Sequence, residues 1–221
     1  MNLKNRSIII LLILLFISCR GQEKSEKHKG EVKKERNYDK DSTLINFSSE
    51  KHEYNIFPDE VDPKSNQILS VNIQITNIKT NQIQNIEYNP EFWYYPQELT
   101  THSFYQSKDS VIKTGFGVES YKNIVISDFN FDKREDFAIT NSEGGNGGPS
   151  YNYYIQKEDG QFELDDNLTN KIRFFPVEIN NEEKTLTISH PSGCCKQLTY
   201  KIQLQPDGEW EEIFYELKDM E

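Results

Sequence analysis

Apolar and polar residues alternate in short runs along much of the chain. Successive side chains of a strand point to opposite faces, so a period of two marks a strand with one buried face. Leu69-Ser70-Val71-Asn72-Ile73-Gln74-Ile75 is the clearest case, followed by Tyr200 to Leu204 and Ile213 to Leu217. Ile124 to Ile126, Phe137 to Ile139, Tyr151 to Ile155, Gln161 to Leu164 and Leu186 to Ile188 complete the set, and no stretch sustains a helical period. Turn formers fall between these runs: Glu158-Asp159-Gly160, Asn180-Asn181 and Pro206-Asp207-Gly208, the last predicting a hairpin between the two final strands. The pattern predicts an all-β fold, an antiparallel meander forming a sandwich, an open barrel or a propeller-like domain. Periodicity does not choose among the three.

The first residues follow a different rule. Lys4 and Arg6 precede a wholly apolar run from Ile8 to Ile17, then Ser18 and Cys19. A short basic start, an apolar stretch and a small residue make a signal peptide over residues 1–18. The run is about half the roughly 20 residues a spanning helix needs. Phe16-Ile17-Ser18-Cys19 resembles a lipobox, which implies a lipid on the Cys19 thiol and anchoring by acyl chains, each buried methylene contributing about 0.8 kcal/mol. Arg20-Gly21-Gln22 carries no acidic retention signal, which fits the outer membrane of a bacterial envelope. A lipidated cysteine and tether over 19–45 and a single β domain over 46–221 follow.

Charge sharpens that division. The net charge is -11, but residues 20 to 41 hold 8 basic and 6 acidic side chains and almost nothing apolar, a composition that cannot offset its own ordering entropy. Outside that tether and the signal peptide, 15 basic residues face 30 acidic ones. Such a surface disfavours nucleic acid, whose phosphates need a basic partner, and favours cations and basic proteins.

Chemistry concentrates in Asp128-Phe129-Asn130-Phe131-Asp132-Lys133-Arg134-Glu135-Asp136. Asp128, Asn130, Asp132, the carbonyl of Arg134 and Asp136 fall at positions 1, 3, 5, 7 and 9 of a calcium loop, while Phe129 and Phe131 would turn toward the core. Lys133 takes the place usually held by Gly, so it must adopt a costly backbone conformation or the loop must open. A strand rather than a helix follows, which excludes an EF-hand; a plain acidic turn is the alternative to calcium. Next comes a glycine-rich loop in which Gly145, Asn146, Gly147, Ser150 and Tyr151 are candidate contact residues. Cys194 and Cys195, adjacent in an oxidising compartment, form either a vicinal disulfide, the expectation taken here, or two thiols. Phe92-Trp93-Tyr94-Tyr95 is either a buried anchor or a sugar-stacking platform. His28, His52, His102 and His190 show no metal-protease spacing and no Gly-x-Ser-x-Gly occurs, so no enzyme is predicted.

The stretch from Val125 to Tyr154, with the acidic loop running into Gly-Gly-Asn-Gly-Gly-Pro-Ser-Tyr, resembles a family of bacterial calcium-binding lipoproteins and periplasmic proteins. That family includes immunity proteins against peptidoglycan hydrolases and is distantly similar to periplasmic lysozyme inhibitors; the acidic loop alone is similar to those of integrin-type repeats. The resemblance implies a β domain holding one calcium and plugging the cleft of a basic, lysozyme-like enzyme. Ser192-Gly193 matches the start of the Ser-Gly-x-x-Tyr loop that such inhibitors insert, but no Tyr follows before Tyr200. A rival expectation is a non-catalytic envelope module binding polysaccharide through Trp93, Tyr94 and Tyr95.

Overall fold

The computed structural model describes residues 43–95, 98–105, 107–116 and 121–220. The chain divides between Glu35 and Arg36, and all described residues belong to the second unit. Cys19 and the signal peptide lie outside them, as does most of the tether. Leu44 already donates its N–H to Ile56 O at 2.8 Å, so ordered pairing begins before the expected boundary at residue 46. Among the described residues, no helix is long and apolar enough to cross a membrane.

The fold is all-β, and the described residues form three sheets with no closed barrel among them. The first comprises β1 (Ile45–Ser48), β2 (His52–Val61), β3 (Gln67–Asn77) and β4 (Ile83–Tyr88) in chain order, with β5 (Trp93–Tyr94) added to the start of β3. The second runs β11-β10-β9-β8-β6, from β6 (Thr101–Ser103), β8 (Ile124–Ser127), β9 (Asp136–Ser142), β10 (Ser150–Gln156) and β11 (Phe162–Leu164). The third runs β15-β14-β13-β12-β7, from β7 (Val111–Lys113), β12 (Glu178–Asn180), β13 (Thr185–Ser192), β14 (Lys196–Leu204) and β15 (Trp210–Asp219). Among the described residues every strand pairing is antiparallel except β6 with β8.

Alternation within the second sheet explains how the layers stack. Ile124, Ile126, Phe137, Ile139 and Tyr154 enter a core with Tyr54, Ile56, Ile73 and Trp93 of the first sheet. Their neighbours Val125, Ala138, Tyr151, Tyr153 and Ile155 enter another core with Ile179, Leu186, Ile188 and Ile202 of the third. The second sheet therefore lies between the others with both faces covered, which is why its strands read as nearly continuous apolar runs.

The predicted hairpin forms, pairing Leu204 with Trp210 around Pro206-Asp207-Gly208. One short helix, α1 (Asp166–Ile172), was not expected; Asp165 caps it by accepting from Leu168 N at 2.8 Å, and Leu168 and Ile172, one turn apart, are its buried residues. Two apolar positions are too few to register as a period.

Candidate functional site

Three regions carry the candidate chemistry: the acidic loop between β8 and β9, the glycine-rich loop between β9 and β10, and the tip of the β13–β14 hairpin.

In the acidic loop the Asp128 carboxylate accepts from Asp132 N at 3.0 Å and Lys133 N at 2.8 Å, and Asp132 accepts from Arg134 N at 2.8 Å. The N–H groups of one turn thus converge on alternate acidic side chains. Phe129 is fully buried, and Phe131 is partly buried with its ring 6.1 Å from that of Trp210. Lys133 adopts φ 68°, so the residue in the glycine position pays the left-handed cost instead of opening the loop. Lys133→Gly should therefore raise the melting temperature by about 2–4 °C, equivalent to roughly 1 kcal/mol, in a calorimetric comparison with the unchanged chain.

The five expected ligands differ in what already holds them. Asp136 is buried, and its two oxygens accept from Phe129 N at 2.8 Å and Gln156 N at 2.9 Å. It braces the loop against β10 rather than facing its centre. Asp132 lies 2.6 Å from the Arg134 guanidinium, and no group of three or more acid, His or Cys side chains converges among the described residues. Asp128, Asn130, Asp132 and Arg134 are partly exposed, and Asp136 is the buried one of the five. Asp128 also lines a recess of about 300 Å³, which gives solvent a path to it. Burial pushes the Asp128 carboxyl above its usual range and that of Asp136 well above, with the neighbouring acids adding to the rise at both. A divalent cation would relieve that crowding, so the residues fit the ion in part.

Glu135, absent from the spacing pattern, is as fully enclosed as Asp136. Its Oε1 accepts from Ser49 Oγ at 2.7 Å and Tyr54 Oη at 2.8 Å and faces His52 Nδ1 at 3.0 Å, while Oε2 is buried without a partner. No sequence signal separates it from the acids around it.

The glycine-rich loop makes a single 3₁₀ turn, Gly145–Gly147. Gly144 is obligatory there, because a Cβ would stand 1.7 Å from Gly148 O. At Gly147 a Cβ would stand 2.8 Å from the Phe174 ring, and His190 Nδ1 would be its neighbour at 3.7 Å. The loop is thus held against the distal half of β13. Between them lies a recess of about 260 Å³ walled by Phe116, Tyr121, Phe174 and Pro149 and edged by His190 and Gln197. The His190 ring packs on Phe174 at 4.1 Å between centroids.

The predicted contact residues divide around this recess. Gly147 and Tyr151 line it, although Tyr151 is a core residue at 1% exposure whose hydroxyl donates to Lys122 O. Gly145 is exposed beside it, and Asn146 lies in the same turn. Ser150 is buried, its hydroxyl 2.9 Å from that of Ser142, and lines a separate polar groove. Ser192 and Gly193 sit at the hairpin tip just beyond Pro191, where Ser192 pairs with Lys196.

Cys194 and Cys195 occupy that tip with exposed, free thiols, so the expected vicinal disulfide is not formed. The tip closes as a hydrogen-bonded turn, and Met220 N donates to Cys195 O at 2.8 Å; an eight-membered ring would strain this arrangement. A hydrogen bond with Cys194 raises the Cys195 thiol above its usual range. The aromatic platform is not assembled either. Trp93 is 3% exposed and donates to Thr140 Oγ1 at 3.3 Å, leaving Phe92 and Tyr94 on the surface.

No protein-family model matches the chain, and no curated protein matches it. A solved structure described as that of a Xanthomonas type IV secretion system related protein is similar to it, with a TM-score of 0.52, 19% sequence identity, and coverage of 79% of this chain and 81% of that one. At that identity the likeness concerns the fold.

Proposed function

We propose that this chain is a membrane-anchored bacterial envelope lipoprotein that inhibits a basic, lysozyme-like peptidoglycan hydrolase, without catalysis of its own. The observation that carries this reading is the meeting of the glycine-rich loop with the β13 hairpin around an aromatic recess. Two segments more than 40 residues apart in sequence are built into one edge. Ser192 stands at its projecting tip, where a hydroxyl can reach carboxylates at the bottom of a cleft. The 30 acidic against 15 basic residues of the domain supply steering toward a cationic enzyme. Similarity to a protein related to a bacterial secretion system agrees with an envelope location, with Cys19 as the anchor. Calcium in the acidic loop belongs to this proposal as a structural ion, held by Asp128, Asn130, Asp132 and the Arg134 carbonyl.

The test is inhibition of a cationic lysozyme on a peptidoglycan suspension. The unchanged protein should inhibit, more weakly as salt rises. Ser192→Glu, which sets a carboxylate against the enzyme's own, should weaken inhibition at least about tenfold while leaving the melting temperature unchanged. Equal inhibition by both proteins would remove the hairpin tip from the contact, and no inhibition of any such hydrolase would remove the function.

A further inference from the structure

A second, more polar groove lies away from the acidic loop and backs onto the aromatic recess at Tyr151, and the proposed inhibition does not use it. It measures about 350 Å³ and crosses the end of the second sheet. Four main chains run side by side beneath it. Glu91 N donates to Asn141 O at 2.9 Å, Ser142 of β9 pairs with Ser150 of β10, Ser150 bridges to Phe174, and Tyr151 N donates to Arg173 O at 2.7 Å. Glu91 therefore stands at one side and Arg173 at the other, separated by three strand spacings, about 14 Å of backbone.

Neither charge meets an opposite one. Among the described residues, the Glu91 carboxylate and the Arg173 guanidinium make no ion pair or hydrogen bond, although acids outnumber bases two to one in this domain. The guanidinium carbon lies 5.9 Å from the centre of the Phe174 ring. The backbone of Arg173 is strained at φ 49°, ψ -51°, closing a γ-turn in which Phe174 N donates to Ile172 O. That conformation persists because Tyr153 Oη donates to Phe174 O at 3.0 Å and Tyr151 N holds Arg173 O. An arginine held in a costly conformation beside a groove, engaged by an aromatic face and by no acid, can take an anionic group.

The floor between the two charges is made of amides and hydroxyls. The Asn152 side chain, half-buried, has no hydrogen-bond partner among the described residues. Thr169 Oγ1 accepts from Tyr153 N at 3.1 Å and keeps its own proton to donate. The Ser142 and Ser150 hydroxyls share one hydrogen bond and leave the other proton free. A neutral sugar would want an aromatic face here, yet Tyr151, the aromatic residue lining the groove, is 1% exposed. Peptide groups, by contrast, match side-chain amides and hydroxyls, and free termini match the two charges. Extended peptide covers roughly 3.3–3.6 Å per residue, so three residues bring an ammonium toward Glu91 and a carboxylate toward Arg173.

We propose that this groove binds a short zwitterionic peptide of about three residues, its carboxylate on Arg173 and its ammonium on Glu91. Calorimetric titration of the purified protein with trialanine, N-acetyl-trialanine and trialanine amide tests it. Trialanine should bind, and blocking either terminus should weaken binding at least about tenfold. Arg173→Gln should abolish the penalty for amidation and keep that for acetylation; Glu91→Gln should do the reverse. Both residues are exposed, so unchanged melting temperatures are expected for the two variants. Equal binding of free and capped peptides, penalties that survive both substitutions, or binding of chitotriose without trialanine would each overturn the assignment.

Discussion

Glu135→Ala should destabilise the fold by about 3–5 kcal/mol in urea unfolding, the range for removing one member of a buried polar network. The carboxyl is fully buried where the loop before β9 meets the first sheet. Ser49, Tyr54 and His52 all direct donors at its Oε1, from more than 80 residues away in sequence. The His52 tautomer follows from its other nitrogen: Nε2 faces the amide nitrogens of Asn77 at 3.3 Å and Gln156 at 3.1 Å, so it accepts and Nδ1 carries the proton toward Glu135. Tyr54 keeps its proton as well, because burial, reinforced by the charge of Glu135, pushes its hydroxyl well above the usual range. Alanine would strand two buried donors at once, Tyr54 Oη and His52 Nδ1, while the half-buried Ser49 hydroxyl can still turn to His52 O. Glu135→Gln retains an acceptor at Oε1 and should lose less than half as much. Should the alanine variant fall within about 1 kcal/mol of the parent, water must be replacing the carboxyl and the junction is looser than its geometry implies.

The same residue shows where reading the sequence stopped. Asp128, Asn130 and Asp132 were legible because a metal loop imposes a spacing of two, and the cost at Lys133 followed from the missing glycine. Glu135 acts through partners on β2 and on the turn between β1 and β2, and no local pattern encodes contacts that distant. Strands with aliphatic residues at alternate positions, such as β3 and β13, announced themselves. In β2 the inward positions are His52, Tyr54, Ile56 and Pro58, which dilutes the apolar signal, and β7 and β12 have three residues each, too few for a period. The glycine-rich loop and the Ser192 turn were each visible as loops. Their meeting across Gly147 and His190 comes from the stacking of two sheets, as does the groove that places Glu91 opposite Arg173.

Calcium in excess of its dissociation constant by about 100-fold should stabilise the protein by roughly 2.7 kcal/mol relative to chelator, or about 5–10 °C in melting temperature. The physical reason lies in the folded state without metal, where Asp128 and Asp136 carry carboxyls raised by burial and by the neighbouring acids. A carboxyl whose folded pKa is raised adds stability while protonated and loses it as pH rises through that pKa, so the metal-free fold weakens toward neutral pH. Calcium binds the deprotonated form, and its contribution should therefore grow over the same interval and vanish in acid. Substitutions separate ligand from brace. Asp128→Ala should abolish the calcium shift, since it removes the position-1 oxygens. Asp136→Ala should lower the melting temperature even in chelator, because Phe129 N and Gln156 N lose their acceptor. Lys133→Gly should raise the baseline and keep the shift. If calcium leaves the melting temperature unmoved at every pH, then Asp128 serves only the N–H groups of Asp132 and Lys133, and the acidic loop is a tight turn joining β8 to β9.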